Sequence, residues 1–524
     1  MVEPFANVPR LTAPLLRLSI LAVALAASPA CRRTSGPPPE RFLDARTELA
    51  IVVPELRRAA NDASRLQDSA ATIPGLGSIR QLHGTFSGQL GFDPFDPDAL
   101  AEAGLEPTRG LAVGLEPSHD PGDPYTAVVI LPVRDARALE ATVARLAQRR
   151  LEATRRSESR HGDLRVITFR AEVDADLSPV IALAFRDADW TAAFAADFGE
   201  VPAVTNALSR VPAESLGEAR WWRDLRAAFG DRYPVLVAVS PGSSLPGLAG
   251  RGVLVGASAE TDLLRLGLAL QLGAGDSALR TARPGASRPA LRALSPDSPL
   301  VLRWDGDPSA LGRLVVPALP EPERRRLARR GLDLQRDLFD VLAPGVAASV
   351  SLSPRVELRE LSPAAAWFDP LRVIRFELAA EVKDEDQARK ALDGMSKLSG
   401  DIGWRLDGKR LLVAGGEPGA MEALAARKGD GFAAPTKASA AALEGGLGGA
   451  VLLPRALVAG VRALPDEAFG DDPSGFLVRT LVASTLAPLE RLQAVSARAE
   501  LREAALVISV ELEAAPPAKK KEAR

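Results

Sequence analysis

The sequence predicts an α+β fold used twice: two similar halves, an internal duplication, each a mostly antiparallel sheet with helices packed on one face. Three observations lead there. First, SAETDLLRLGLALQL (Ser258 to Leu272) and ARAELREAALVISVEL (Ala497 to Leu512) each end in strict alternation, through Leu266, Leu268, Leu270 and Leu272 and through Leu506, Ile508, Val510 and Leu512. That period marks a strand with one buried and one wet face. Second, two extended runs turn at a V-[RK]-D corner, Val133-Arg134-Asp135 and Val382-Lys383-Asp384, and a helical pattern follows each. Third, the segments that resemble one another occur in the same order in both halves, as a duplicated unit requires. A doubly wound parallel sheet fits less well, because its strands would be apolar throughout.

Each half opens on a strand running into a helix, TELAIVVPELRRAANDASRL (Thr47 to Leu66) and SPLVLRWDGDPSALGRLV (Ser298 to Val315). GLAVGL (Gly110 to Leu115) and GVAASV (Gly345 to Val350) are the next strands. The V-[RK]-D runs follow, Thr126 to Leu146 and Val373 to Met395. Their Asp135 and Asp384 stand where a carboxylate accepts hydrogen bonds from the first helical turn, which explains them without catalysis. PVIALAFRDADWTAAFAADFG (Pro179 to Gly199) and RLLVAGGEPGAMEALAARKG (Arg410 to Gly429) read as strand then helix. VLVG at Val253 and LQAV at Leu492 then lead into the alternating strands as terminal hairpins. The expected division is a leader at 1–30, a lipid-bearing cysteine and proline-rich tether at 31–46, a first half at 47–272, a linker at 273–296, a second half at 297–513 and a tail at 514–524. The linker is rich in Gly, Pro and Ser.

Composition narrows the function classes. Sixty-five basic against 67 acidic residues in 524 leave no basic footprint for nucleic acid. The single cysteine, Cys31, lies just after a leader-like segment. Arg10 and Arg17 precede SILAVALAA (Ser19 to Ala27), a run too short for the roughly twenty residues of a spanning helix. Ser28-Pro29-Ala30 then supplies small residues before the cysteine. This order resembles the lipobox of bacterial lipoproteins, with Ser28 where that box usually has Leu. The resemblance implies that Cys31 is diacylated on sulfur, that the leader is removed and that the new amino terminus is acylated. Arg32, in place of Asp, implies the outer membrane. A lone cysteine cannot form an internal disulfide, and several acyl chains, at roughly 0.8 kcal/mol per buried methylene, anchor a protein firmly. Two other readings stay open: cleavage after Ala30 that releases a soluble protein with a free thiol, and an incidental cysteine in a cytosolic protein. Thr34 to Glu40, with Pro37, Pro38 and Pro39, reads as a stiff tether. The body is loosely similar to exported bacterial proteins known only as domains of unknown function, through Gly91 to Pro94, Gly110 to Leu115 and Val133 to Asp135, and that resemblance implies no catalytic residues.

Catalytic signatures are scarce. His83, His119 and His161 lack the paired spacing of a zinc site. No Walker loop, H-E-x-x-H or G-x-S-x-G elbow occurs. GGLGGAV (Gly445 to Val451) lacks dinucleotide-loop spacing and reads as a loop entering an apolar element. The acidic runs Phe92 to Asp98, His119 to Pro124, Asp305 to Pro308 and Gly470 to Pro473 are read as Asp-Pro turns in preference to calcium loops. Trp221-Trp222, on an expected amphipathic helix, should place one ring in the core and the other at its edge. The expectation is a non-enzymatic envelope lipoprotein facing the periplasm or the exterior, with no cofactor or metal, acting as a scaffold or binding surface for a protein partner. The alternatives are a carrier of lipid or another apolar ligand and a hydrolase with a dispersed site. A carrier requires an apolar cavity of several hundred cubic ångströms, a scaffold an exposed apolar patch and a hydrolase a concave site with convergent polar groups.

Overall fold

The computed structural model describes residues 36–69, 78–117, 125–171, 180–197, 200–243, 250–260, 262–273, 276, 279, 282–319, 321–329, 333–353, 374–396, 402–427, 431–469 and 474–515. The leader, Cys31, His119 and its acidic run, the run at 470–473 and the lysines of the tail lie outside the described residues. The chain forms two compact units. The first comprises the chain to Ala71, Gly75–Gln271 and Glu503–Val507, and the second Thr72–Pro74, Leu272–Arg502 and Ile508–Arg524.

The first unit runs β1 (Leu49–Val53), α1 (Leu56–Ser69), α2 (Ser78–Leu90), α3 (Pro97–Glu102), β2 (Leu111–Pro117), β3 (Tyr125–Pro132), α4 (Ala136–Leu151), β4 (Ala153–His161), β5 (Leu164–Ala171), β6 (Val180–Arg186), β7 (Thr191–Asp197), α5 (Glu200–Ser209), α6 (Arg220–Phe229), β8 (Val235–Val239), β9 (Val253–Glu260) and β10 (Leu263–Gln271). Its strands pair antiparallel in the order β4-β5-β6-β7-β3-β2-β1-β8-β9-β10. The second runs α7 (Arg288–Ala293), β11 (Leu300–Trp304), α8 (Pro308–Ala318), α9 (Glu321–Arg329), a π turn at Gln335–Phe339, β12 (Val346–Leu352), β13 (Ile374–Glu381), α10 (Glu385–Ser396), β14 (Ile402–Asp407), β15 (Arg410–Gly415), α11 (Ala420–Ala426), α12 (Lys437–Glu444), β16 (Gly448–Leu452), α13 (Pro454–Ala463), α14 (Ser474–Leu486) and β17 (Leu492–Arg502). Its order is β14-β15-β13-β12-β11-β16-β17, again antiparallel. β18 (Ala505–Ala514) gives its first residues to the first unit and the rest to the second.

β1 and β11 each pair antiparallel with two neighbours. Ile51 on β1 faces Val113 on β2 and Val237 on β8, while Leu302 on β11 faces Ala348 on β12 and Ala450 on β16. The V-[RK]-D corners make matching bonds. Val133 N–H donates to the Trp190 carbonyl and Val382 N–H to that of Lys409, and isolated bridges join Leu105 to Val133 and Leu342 to Val382. Asp135 accepts from the amides of Arg137 and Ala138 at 2.8 and 3.1 Å, and Asp384 from that of Gln387 at 2.8 Å. Both are helix caps, each of a kind worth about 1 kcal/mol.

Several expectations need correction. Helices cover both faces of each sheet, not one. In the first unit Ala50 and Val52 pack with α5 and α6, while Ile51 and Val53 pack with α1, α3 and α4. In the second, Ala379 packs with α7, α11 and α12, and its neighbour Ala380 with α10. The inner strands are largely apolar on both sides, with Arg303, Ser349 and Glu377 as buried exceptions, and the alternation that suggested a wet face belongs to the terminal strands. Even there the expected sense differs: Leu266 is exposed, whereas Gly267 and Ala269 are buried. Small residues are needed on that side, because a Cβ on Gly256 or its cross-strand partner Gly267 would lie 2.6 and 2.5 Å from the stacked rings of Phe229 and Tyr233. Pro179 to Gly199 holds two strands, not a strand and a helix: the turn through Trp190, with φ of 51°, separates β6 from β7, and α5 begins only at Glu200. Pairing with β3 and β6 overrides the helical preference of its alanines. The expected linker contains α7, with Ala290, Ala293 and Leu294 in the second core. The expected tether ends early, since Phe42 and Leu43 are fully buried in the first.

Candidate apolar binding groove

Across the second unit, the residues in line with Leu302 are small. The row reads Ala348, Leu302, Ala450, Ala497 from β12 to β17, and the adjacent row reads Val346, Trp304, Gly448, Ala499. In the first unit the row through Ile51 on β1 reads Val113, Ile51, Val237 and Val255. The second unit's row thus holds one large side chain and three small ones. The consequence is an open groove of about 490 Å³, floored by Ala348, Gly448, Ala450, Ala497 and Ala499 and walled by Leu302, Trp304, Leu311, Phe339 and Ile508. In the first unit Ile51, Val53 and Val113 are buried beneath α1, α3 and α4. In the second, Leu302 remains 40% exposed. Covering one such side chain fully contributes about 1.5–3 kcal/mol, so the groove retains a driving force to bury apolar matter.

A buried ion pair lies behind the groove. Arg303 points to the opposite face from Leu302 and Trp304, and its Nη1 lies 2.7 Å from Asp305 Oδ2, both side chains being fully buried. Arg303 also donates to the carbonyls of Ala442, at 2.9 Å, and Gly445, tying β11 to the end of α12. Asp305 accepts from the amides of Gly285 and Ser287 at 2.8 and 2.7 Å. Every strong partner of the pair is therefore satisfied, as a buried charge requires. The Trp304 ring lies over Gly448, where a Cβ would come within 2.5 Å of it, so the glycine is what lets the indole fold down as a wall. Sequence reading took GGLGGAV for a loop entering an apolar element, and the segment is a turn followed by β16.

The chemistry this groove offers is limited. Its lining contains no hydroxyl, imidazole, carboxylate or amine, and its two arginines are engaged, Arg303 as described and Arg498 with Glu500. The volume falls within the 300–1,000 Å³ of small-molecule sites, which are mostly apolar.

Elsewhere the residues singled out from sequence lie apart. His83 is on α2, where Nε2 meets Asp93 Oδ1 at 2.9 Å, and His161 ends β4. Asp96 caps α3 and Asp307 caps α8, as turn residues do. Among the described residues no group of three His, Cys, Asp or Glu is arranged to hold a metal ion. Trp222 is buried, and Trp221 packs partly buried against the same core, the rings meeting edge to face at 6.2 Å. Sequence reading missed α14. Its inner face sets Val478, Val482 and Leu486 against Phe469 and Leu464, while Phe476, Leu477 and Leu481 are 63, 68 and 59% exposed. The hydroxyls of Thr480, Ser484 and Thr485, on the same outer side, donate to carbonyls of their own helix. A run without acidic residues, SGFLVRTLVASTL, was the available signal. Among the described residues no helix is long and apolar enough to cross a membrane. No family model, no curated protein and no solved structure matches this chain.

Proposed function

We propose that this chain is an exported, lipid-anchored envelope protein without enzymatic activity, built from a duplicated α+β unit, whose second copy has been hollowed to bind an apolar ligand. The observation that carries the binding reading is the row of small residues at Ala348, Ala450 and Ala497, where the first unit holds valines in the same register. Identical strand order around β1 and β11, with matching V-[RK]-D corners, supports duplication. The leader, Cys31 and Arg32 support anchoring at the outer membrane through acylated Cys31. The experiment is titration of the full mature chain with a dansyl-labelled fatty acid. Saturable fluorescence enhancement is expected, and it should be lost in Ala348→Val/Ala450→Val/Ala497→Val. An equal response in both proteins removes the groove as the site. The mass of the mature amino terminus tests the anchor: acylated Cys31 is expected, and an unmodified cysteine or a different first residue contradicts it.

A second reading, a scaffold that docks a protein partner, is favoured by the outer face of α14, where three large apolar side chains stand exposed together. Photo-crosslinking from position 477 in cells captures a defined partner on that reading, and captures none if the helix merely faces solvent.

A further inference from the structure

The first unit contains a separate cavity, on the same sheet face that forms the groove in the second. It is partly open, has a volume of about 140 Å³, and lies between β2, β3 and the helices α3 and α4, with the loop after α2 at its edge. Leu111, Val129, Leu139, Val143 and Phe194 form its body, and the loop after α2 adds a rim of half-buried Phe92 and buried Pro94. Only one lining residue, Thr142, carries a polar side-chain atom, and that hydroxyl accepts a hydrogen bond from Arg145 Nη2 at 3.0 Å. The lining exposes no polar surface to the cavity. Water needs two to four polar partners to occupy such a space, and an apolar cavity of roughly 150 Å³ stays dry and accepts a benzene-sized guest.

The rim is fixed in advance. Gly91, at φ +78°, ends α2 in the left-handed conformation and turns the chain into Phe92-Asp93-Pro94. Asp93, between the two rim residues, accepts from the Phe95 amide at 2.9 Å and meets His83 Nε2 at 2.9 and 3.0 Å. The His83 ring in turn stands edge-on to Phe95, 4.9 Å between centroids. These contacts fix the loop to α2, and a preorganised site loses less ordering entropy on binding.

We infer that this cavity is a second binding site, for one neutral hydrocarbon group of about benzene's size, either an aromatic ring or the end of an alkyl chain, with any polar part of the molecule left outside the rim. The inference is independent of the groove in the second unit, and it assigns this site a single chain or ring, not a whole lipid.

The test uses the full mature chain with methyl-labelled Leu and Val, titrated separately with benzene and with n-hexane. Saturable shifts are expected at Val129, Leu139 and Val143 with at least one of the two, and which one acts separates ring from chain. Val143→Phe, which fills the cavity, should abolish the shifts while Leu302 and Val346 in the groove keep theirs. Absence of saturable shifts at Val129, Leu139 and Val143 in the unsubstituted protein overturns the proposal, and that reading does not depend on whether the variant folds. Shifts confined to the groove residues overturn it equally, while leaving the proposed function standing.

Discussion

At the scale of single residues, the sequence shows charges whose partners only the fold reveals. Asp305 reads as the start of an acidic turn, yet it and Arg303, two positions before, form a wholly buried pair that ties β11 to α12 and to the turn before α7. Removing one partner leaves the other charge uncompensated, so Arg303→Met should cost about 3–5 kcal/mol, measured by urea unfolding of the unit that contains it. Glu377 shows the opposite balance. Burial works against its charge, but the hydrogen bonds from Arg427 and the Ser295 amide, with the nearby positive charges of Arg427 and Arg375, outweigh it and hold the carboxyl below its ordinary value of 4.5. A carboxylate depressed in this way stabilises the fold above pH 4.5, and the stabilisation is lost as pH falls through that value toward the lower folded one. Glu377→Gln should therefore lower stability at neutral pH and flatten the acid limb below pH 4.5, read from urea midpoints across pH.

At the scale of elements, what was legible depended on whether the signal was local. The V-[RK]-D corners could be read directly, since an N-cap bonds within its own first turn. The strand-to-helix opening at Ser298 was legible for the same reason, since Asp307 caps α8. β7 was not, because its Ala-rich sequence carries a helical propensity that pairing with β3 and β6 overrules. The terminal leucines misled because burial is decided across the sheet: the Phe229–Tyr233 stack, 4.4 Å between centroids, reserves the inner side for Gly256 and Gly267. Replacing either glycine by alanine should destabilise by about 1–3 kcal/mol through overpacking, measured by thermal or urea unfolding. Substituting Phe476, Leu477 and Leu481 by serine should leave stability nearly unchanged, since these side chains are exposed in the folded chain. A large loss on urea unfolding would show that the face is part of a core.

At the scale of the whole chain, the two V-[RK]-D corners could be read from sequence, while the difference in side-chain volume between the two units could not. Val113, Val237 and Val255 against Ala348, Ala450 and Ala497 are unremarkable until register places each set in one row beside Ile51 or Leu302. That change of side-chain volume, repeated along a row, leaves a groove beside Leu302, whereas Ile51 and Val113 are buried and only Val255, at the end of their row, is 40% exposed. Helices on both faces were also out of reach of the sequence, because largely apolar inner strands such as LAIVV and VLVAV do not declare which side they bury.

Native mass spectrometry of the full chain purified from its native source tests the role of that row most directly. The unsubstituted protein should carry an apolar ligand of defined mass, and Ala348→Val/Ala450→Val/Ala497→Val, folded and equally anchored, should emerge without it. If both proteins are bare, or both hold the same ligand in the same amount, the second unit is not a binding site and the proposed function is wrong.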